Sequence, residues 1–165
     1  MTQIKALLFD LDGVIVHTAQ YHYIAWKEIA SGLGYDLTID DNEKLKGLSR
    51  ADSLRQILHL ADVQLDETTF HQYMDEKNQR YLSYISALSS SDALPGVISF
   101  IRESRRRGLK IGLGSASKNA RQTIERLGLA ADFDVIVDGT NVRRSKPDPE
   151  VFLKGAAALG VSPGQ

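Results

Sequence analysis

Two aspartates one residue apart, Asp10 and Asp12 in LLFDLDGV (7–14), are the first residues along the chain able to do chemistry. One carboxylate can attack phosphorus and hold it as an acyl phosphate. The other can give and take a proton at the oxygen that leaves or attacks. Alone, the pair reads equally as a strand running into a polar turn, since Asp and the following Gly13 are ordinary turn residues. Two further polar clusters favour chemistry: GSASKN (114–119), with Ser115 ahead of a helix start, and SKPDP (145–149), with Lys146. A hydroxyl, main-chain N–H groups and a lysine can neutralise the equatorial oxygens of a transferring phosphoryl group. A magnesium ion, which wants hard oxygen ligands, would bridge a carboxylate and the phosphate. GLGSAS (112–117) also suggests a dinucleotide loop, but Ser117 stands where the last glycine of that fingerprint belongs. KPDP by itself is more often a helix start than a site, because Pro147 and Pro149 suit helix entry.

These residues need elements to hold them. IKALLF (4–9), KIGLG (110–114) and DVIVDG (134–139) read as short buried strands. VISFIRESRRRG (97–108), KNARQTIERLG (118–128) and PEVFLKGAAALG (149–160) read as the helices between and after them. Such alternation predicts a parallel α/β sheet, and ligands bind such sheets beyond the carboxyl ends of the strands, where all three polar clusters fall. Helices are also predicted over 18–33, with Thr18 as N-cap, over 50–61 and over 66–88. These follow the first strand with no second strand among them, a stretch too long for a simple crossover. The expected organisation is therefore an α/β core (1–14 and 92–165) carrying an inserted helical domain (17–88). Two hinge segments, near Gly13–Thr18 and Ser89–Pro95, would join them.

Composition narrows the classes. The 165 residues are 42% hydrophobic and 25% charged, as expected of a globular protein. A formal net charge of −1 gives no reason to expect nucleic acid or an anionic membrane as the main partner. There is no cysteine, which excludes thiol catalysis and zinc–thiolate sites. No apolar run reaches the length of a membrane span, and the start of the chain lacks the features of a signal peptide, so a cytoplasmic location is expected. RESRRRG (102–108), the most basic run, reads as the exposed last turn of a helix, where arginine complements the dipole.

The order FDLDG, SAS, SKPDP, with a helical insert after the first motif, resembles the haloacid dehalogenase superfamily of phosphotransferases. Within it, the segments TAQYHYIAWK (18–27), LKGLSRADSL (45–54), EKNQRY (76–81) and GSASKN resemble the β-phosphoglucomutases. The resemblance implies a Rossmann-like parallel-sheet core with an inserted α-helical cap domain. It also implies an isomerase that moves phosphate between the 1- and 6-positions of glucose through an aspartyl-phosphate and a sugar bisphosphate. Asp10 would be the nucleophile and a Mg2+ ligand; Asp12 would be the general acid/base, lending its main-chain carbonyl to the metal. Ser115, Lys146 and the N–H of Ala116 would hold the transferring phosphoryl group. Arg50 would take the substrate's other phosphate, a dianion suited to a bidentate guanidinium, with Ser117 and Asn119 assisting. His22, Lys46, Gly47, Ser53 and Lys77 would line the sugar site or position Asp12. Trp26 would shape its wall, and Thr18 would sit at the hinge.

By residue type alone, His22 and Trp26 read as packing residues and Lys46, Lys77 and Arg50 as solvated helix charges. The sugar phosphate would be the one partner of a monomer. A cap closing over the core would keep water from the phosphoenzyme; a capped phosphatase or a binding-only domain would share the core motifs. Two departures stand out. His17 occupies a position where the family carries Asp. The family pattern also continues past ALGVSPGQ into another strand ending in an acidic pair that completes the metal site, so these residues are expected to be a fragment of a longer protein.

Overall fold

The computed structural model describes residues 3–165. The chain divides into two compact units: one runs to His17 and resumes over Leu88–Gln165, and the other is Thr18–Ala87. Among the described residues no helix is long and apolar enough to cross a membrane.

The first unit is built on three parallel strands, β1 (Ala6–Phe9), β2 (Lys110–Gly114) and β3 (Val135–Val137), in the order β1-β2-β3. Ala6 pairs with Lys110 and Gly112 with Val135, so the strand ends that carry Asp10, Ser115 and Asp138 lie side by side. β2 is central, and Ile111 through Gly114 are buried, as its unbroken apolar run requires. The pleat sends Gly112 and Gly114 to one face, where α7 (Glu150–Leu159) packs very close. A Cβ built on Gly112 would lie 2.5 Å from Leu8 of β1, and one on Gly155 of α7 would lie 2.7 Å from the same side chain. Leu8 thus fills a socket left by two missing side chains. On the other face Phe9 makes edge contacts with Phe100 of α5 (Val97–Arg106) and with Phe133. Helix α6 (Ala120–Arg126) follows the Ser115 loop. The predicted surface role of the arginine run holds: Arg106 and Arg107 pair with Glu103, and Arg105 with Asp134.

The second unit contains α1 (Ala19–Gly32), α2 (Ile39–Glu43), α3 (Arg50–Ala61) and α4 (Glu67–Ile85). Its core comprises Trp26, Ile29, Ala30, Leu37, Leu45, Leu54, Ile57 and Leu58. The apolar spacing on α1 and α3 dictates this packing. Ser49 caps α3 by accepting from Asp52 N, and Asp66 caps α4 by accepting from Thr69 N. Thr18 precedes α1 but its side chain makes no cap hydrogen bond; its own backbone is helical, and the side chain is fully buried. The last predicted helix stops at Ile85 rather than running to residue 88. Helix α2 was not expected: IDDNE has no apolar period, and it forms because Thr38 and Asp41 close a capping box. Asp41, also bonded by Tyr35, is held down to about 2 by the Thr38 and Tyr35 hydroxyls.

Candidate active site

In the α/β unit the predicted phosphate-handling residues converge at the carboxyl ends of β1 and β2. Asp10, the first residue past β1, has its Oδ1 2.8 Å from Lys146 Nζ and accepts the N–H of Leu11 at 2.8 Å. Lys146 comes from the loop between β3 and α7. Its Nζ also donates to the Gly114 carbonyl at 3.4 Å and lies 4.9 Å from the Phe152 ring centroid. One cation therefore links the end of β1 to the end of β2. Asp12 sits in a tight return in which Gly13, at φ +77°, donates to the Val16 carbonyl; that φ favours glycine, as the DLDG spacing anticipates.

The loop after β2 is organised by its own hydroxyls. Ser115 is 1% exposed; its Oγ accepts the Ser117 N–H at 3.1 Å, and Ser117 Oγ accepts the Asn119 N–H at 3.2 Å. Accepting that bond leaves the Ser115 hydroxyl its proton to donate. Gly139 lies behind this loop and donates its N–H to the Ser117 carbonyl. A Cβ on Gly139 would run into the Ala116 carbonyl. Ala116, Ser117 and Asn119 thus belong to one loop that runs from β2 into α6.

The helical unit holds a second cluster. Lys77, on α4, is 4% exposed, with its Nζ 2.7 Å from His22 Nδ1 and about equally far from two ring centroids, Trp26 at 5.0 Å and Tyr81 at 4.9 Å. The His22 ring stacks on Tyr81 with centroids 4.0 Å apart. Burial, then the charges of Lys77 and Arg50, hold His22 well below its ordinary 6.5, so the ring is neutral. An ammonium only donates, so Nδ1 accepts and the imidazole proton sits on Nε2. Arg50, at the start of α3, donates from Nη2 to Asn78 Oδ1 at 2.7 Å; burial lowers its pKa against the pull of Asp75. By type alone Lys77 reads as a solvated charge, and the structure corrects this: its aliphatic stem and ammonium are packed among aromatic rings.

The other predicted residues are placed differently. Lys46 is on the surface, its Nζ 2.6 Å from Glu43, and not in the Lys77 cluster. Gly47 has φ +81°, in the loop that leads into α3, and Ser53 is buried on that helix. Sequence reasoning missed Asn78 and Tyr81, although both lie beside Lys77 on a helix it had drawn. It also missed Gly139, whose signal was its place just past an apolar run, and Phe152 and Glu150 on α7.

For a metal, the hard oxygens on offer are the Asp10 carboxylate and the main-chain carbonyl of Asp12. That set suits Mg2+ bound together with phosphate and water rather than in an all-protein cage. No group of three or more His, Cys, Asp or Glu side chains capable of holding a metal gathers among the described residues. The Asp138 carboxylate is occupied by Thr140, accepting its N–H at 2.8 Å and its hydroxyl at 2.6 Å.

The sequence profile of the haloacid dehalogenase-like hydrolases matches residues 4–165. The chain belongs to that family. Within it, the β-phosphoglucomutase of Bacillus subtilis strain 168 is 44% identical over 96% of this chain and 71% of its own length. The fructose-1-phosphate phosphatase YqaB of Escherichia coli K12 is 33% identical over 96% of this chain and 82% of its own. Among solved structures, the β-phosphoglucomutase of Clostridium difficile superposes with a TM-score of 0.94 at 42% identity, covering 98% of this chain and 73% of its own. The haloacid dehalogenase-like fold, a parallel sheet with helices on its faces, is the architecture described above.

Proposed function

We propose that this protein is a β-phosphoglucomutase-type isomerase, interconverting β-glucose 1-phosphate and glucose 6-phosphate. The 44% identity to the Bacillus subtilis enzyme over nearly the whole chain carries this reading. In it an Asp10 carboxylate oxygen attacks phosphorus, forming the aspartyl-phosphate as the bond from phosphorus to the sugar oxygen breaks. Asp12 donates a proton to the departing oxygen, and takes one from the sugar hydroxyl that later attacks the phosphoenzyme. Two anions, a carboxylate and a phosphate, must approach each other. The Lys146 ammonium, 2.8 Å from Asp10, offsets that repulsion at the attacking atom. Ser115 and the N–H of Ala116 would hold the transferring oxygens. Family membership implies a divalent metal; we take it as Mg2+, held by Asp10 and the Asp12 carbonyl, where it would neutralise charge on the transferring group.

In the helical unit, which we assign as the cap domain, Arg50 would bind the phosphate that is not transferred. His22, Lys46, Gly47, Ser53 and Lys77 would line the sugar site or position Asp12, Trp26 would shape its wall, Ser117 and Asn119 would assist from the core, and Thr18 would sit at the hinge. We place the enzyme in the cytoplasm as a monomer.

The 33% identity to a fructose-1-phosphate phosphatase supports a second reading, hydrolysis of a small sugar phosphate by the same core. Phosphorus NMR separates the two: β-glucose 1-phosphate is supplied with Mg2+ and a trace of the 1,6-bisphosphate. Glucose 6-phosphate as product establishes the mutase; inorganic phosphate instead establishes the phosphatase.

A further inference from the structure

Lysine is a flexible arm, and a catalytic lysine needs its backbone fixed if its ammonium is to meet a phosphate in one place. Lys146 stands on a loop, where such fixing has to be built. The loop is tied down from the first turn of α7, chiefly by one carboxylate. Glu150, the first residue of α7, accepts the Arg144 N–H on Oε2 at 2.7 Å and the Arg143 N–H on Oε2 and Oε1 at 3.1 and 3.2 Å. Its Oε1 is 2.7 Å from Lys154 Nζ, which donates in turn to the Asn141 carbonyl. Two shorter ties complete the enclosure: Asp148 N donates to the Ser145 carbonyl at 3.0 Å, and Glu150 N donates to Asp148 Oδ1 at 2.9 Å. Arg144 closes the outer side, with Nη1 3.1 Å from Asp148.

A glutamate in the first turn of a helix is ordinarily there for the dipole alone, exposed to water. Glu150 differs: its side chain is 12% exposed, and besides its pair with Lys154 one turn on, its carboxylate reaches backward six and seven residues to main-chain N–H groups outside its own helix. Those bonds bracket residues 145–149, and Lys146 lies inside the bracket with its Nζ on Asp10. We propose that Glu150 is a positioning residue for the transfer site, a clamp on the β3–α7 loop that sets where the Lys146 ammonium stands. The proposal rests on the reading of Lys146 as a phosphate-binding cation.

The test compares Glu150→Gln with wild type, and with Glu103→Gln as a control that removes an equally ion-paired surface carboxylate on α5. Gln keeps the size of the side chain but offers a single acceptor oxygen and an amide that repels the two N–H donors. Two readouts are taken at neutral pH. The first is the Lys146 ammonium signal in a proton–nitrogen correlation spectrum, observable where its contact with Asp10 slows exchange. The second is the affinity for inorganic phosphate. Glu150→Gln is expected to lose the Lys146 signal and weaken phosphate binding about tenfold, equivalent to about 1.4 kcal/mol, while Glu103→Gln changes neither. A lowered melting temperature with the Lys146 signal intact would mean a merely structural glutamate and would overturn the clamp. Lys146→Ala tests the underlying reading separately. If it binds phosphate as well as wild type, Lys146 is not the phosphate cation, whatever Glu150 does to its signal.

Discussion

The two units hold their central lysines in opposite ways. In the α/β unit Lys146 is paired with a carboxylate, Asp10, and its charge is cancelled where it stands. In the helical unit Lys77 is buried against a neutral imidazole and the faces of Trp26 and Tyr81. Those partners attract a cation without cancelling its charge. The first arrangement suits a site where the lysine must yield to a phosphoryl group arriving at Asp10. The second suits a lysine fixed in place by the packing around it, with its desolvation cost met when the unit folds. The same residue type is thus held by a carboxylate in one unit and by an imidazole and two ring faces in the other.

The strongest way to break this contrast is Asp10→Asn. It should abolish phosphoenzyme labelling and lower turnover by at least about 10³-fold, with the fold intact by circular dichroism. Persistent labelling would remove the nucleophile from Asp10. Next is Lys77→Met, which keeps the stem and removes the charge. If Lys77 is there for recognition, the thermal midpoint stays level or rises, since a buried charge is costly. Apparent affinity for the sugar phosphate should meanwhile fall about tenfold or more. A collapse in stability with unchanged affinity would make the cluster structural.

A smaller effect is expected from pH. His22 is depressed below its ordinary 6.5, so the unfolded chain binds a proton there that the folded chain refuses. Its contribution to stability is therefore full above about pH 6.5 and is lost as pH falls below that value. Lys77 and Arg50 are the charges that act on it. Melting curves of wild type should drop on acidification through this window, and those of His22→Gln should be flatter. Smallest is Ser49→Ala, which removes the cap of α3 and should cost about 1 kcal/mol in denaturant unfolding. Phosphate binding in the α/β unit should be untouched.

Much of this was legible in the sequence because it is local. KIGLG and the 50–61 helix occur with the predicted bounds, since apolar runs and helical spacing report burial directly. Two of the polar clusters lie directly at strand ends and the third in the loop that follows β3, because parallel sheets put their loops there. What could not be read is whatever depends on chain segments meeting. The burial of Lys77 needs α1 and α4 to pack together before Trp26 and Tyr81 can surround it. The Glu150 clamp looks like an ordinary helix-start acid until its oxygens are seen on the N–H groups of Arg143 and Arg144. Helix α2 was hidden for another reason, its sequence carrying a capping box but no apolar stripe.

The socket around Leu8 bears on how such a protein can change over generations. Gly112 and Gly155 each leave the space that Leu8 fills, and they lie on different elements far apart in the chain. Enlarging either glycine crowds Leu8, and shrinking Leu8 alone opens a void facing both, each a step that costs stability. Drift at these three positions must therefore come in coordinated steps. Among relatives, a smaller residue at position 8 should accompany a larger one at 112 or 155, a statistical trace of packing left where no chemistry occurs.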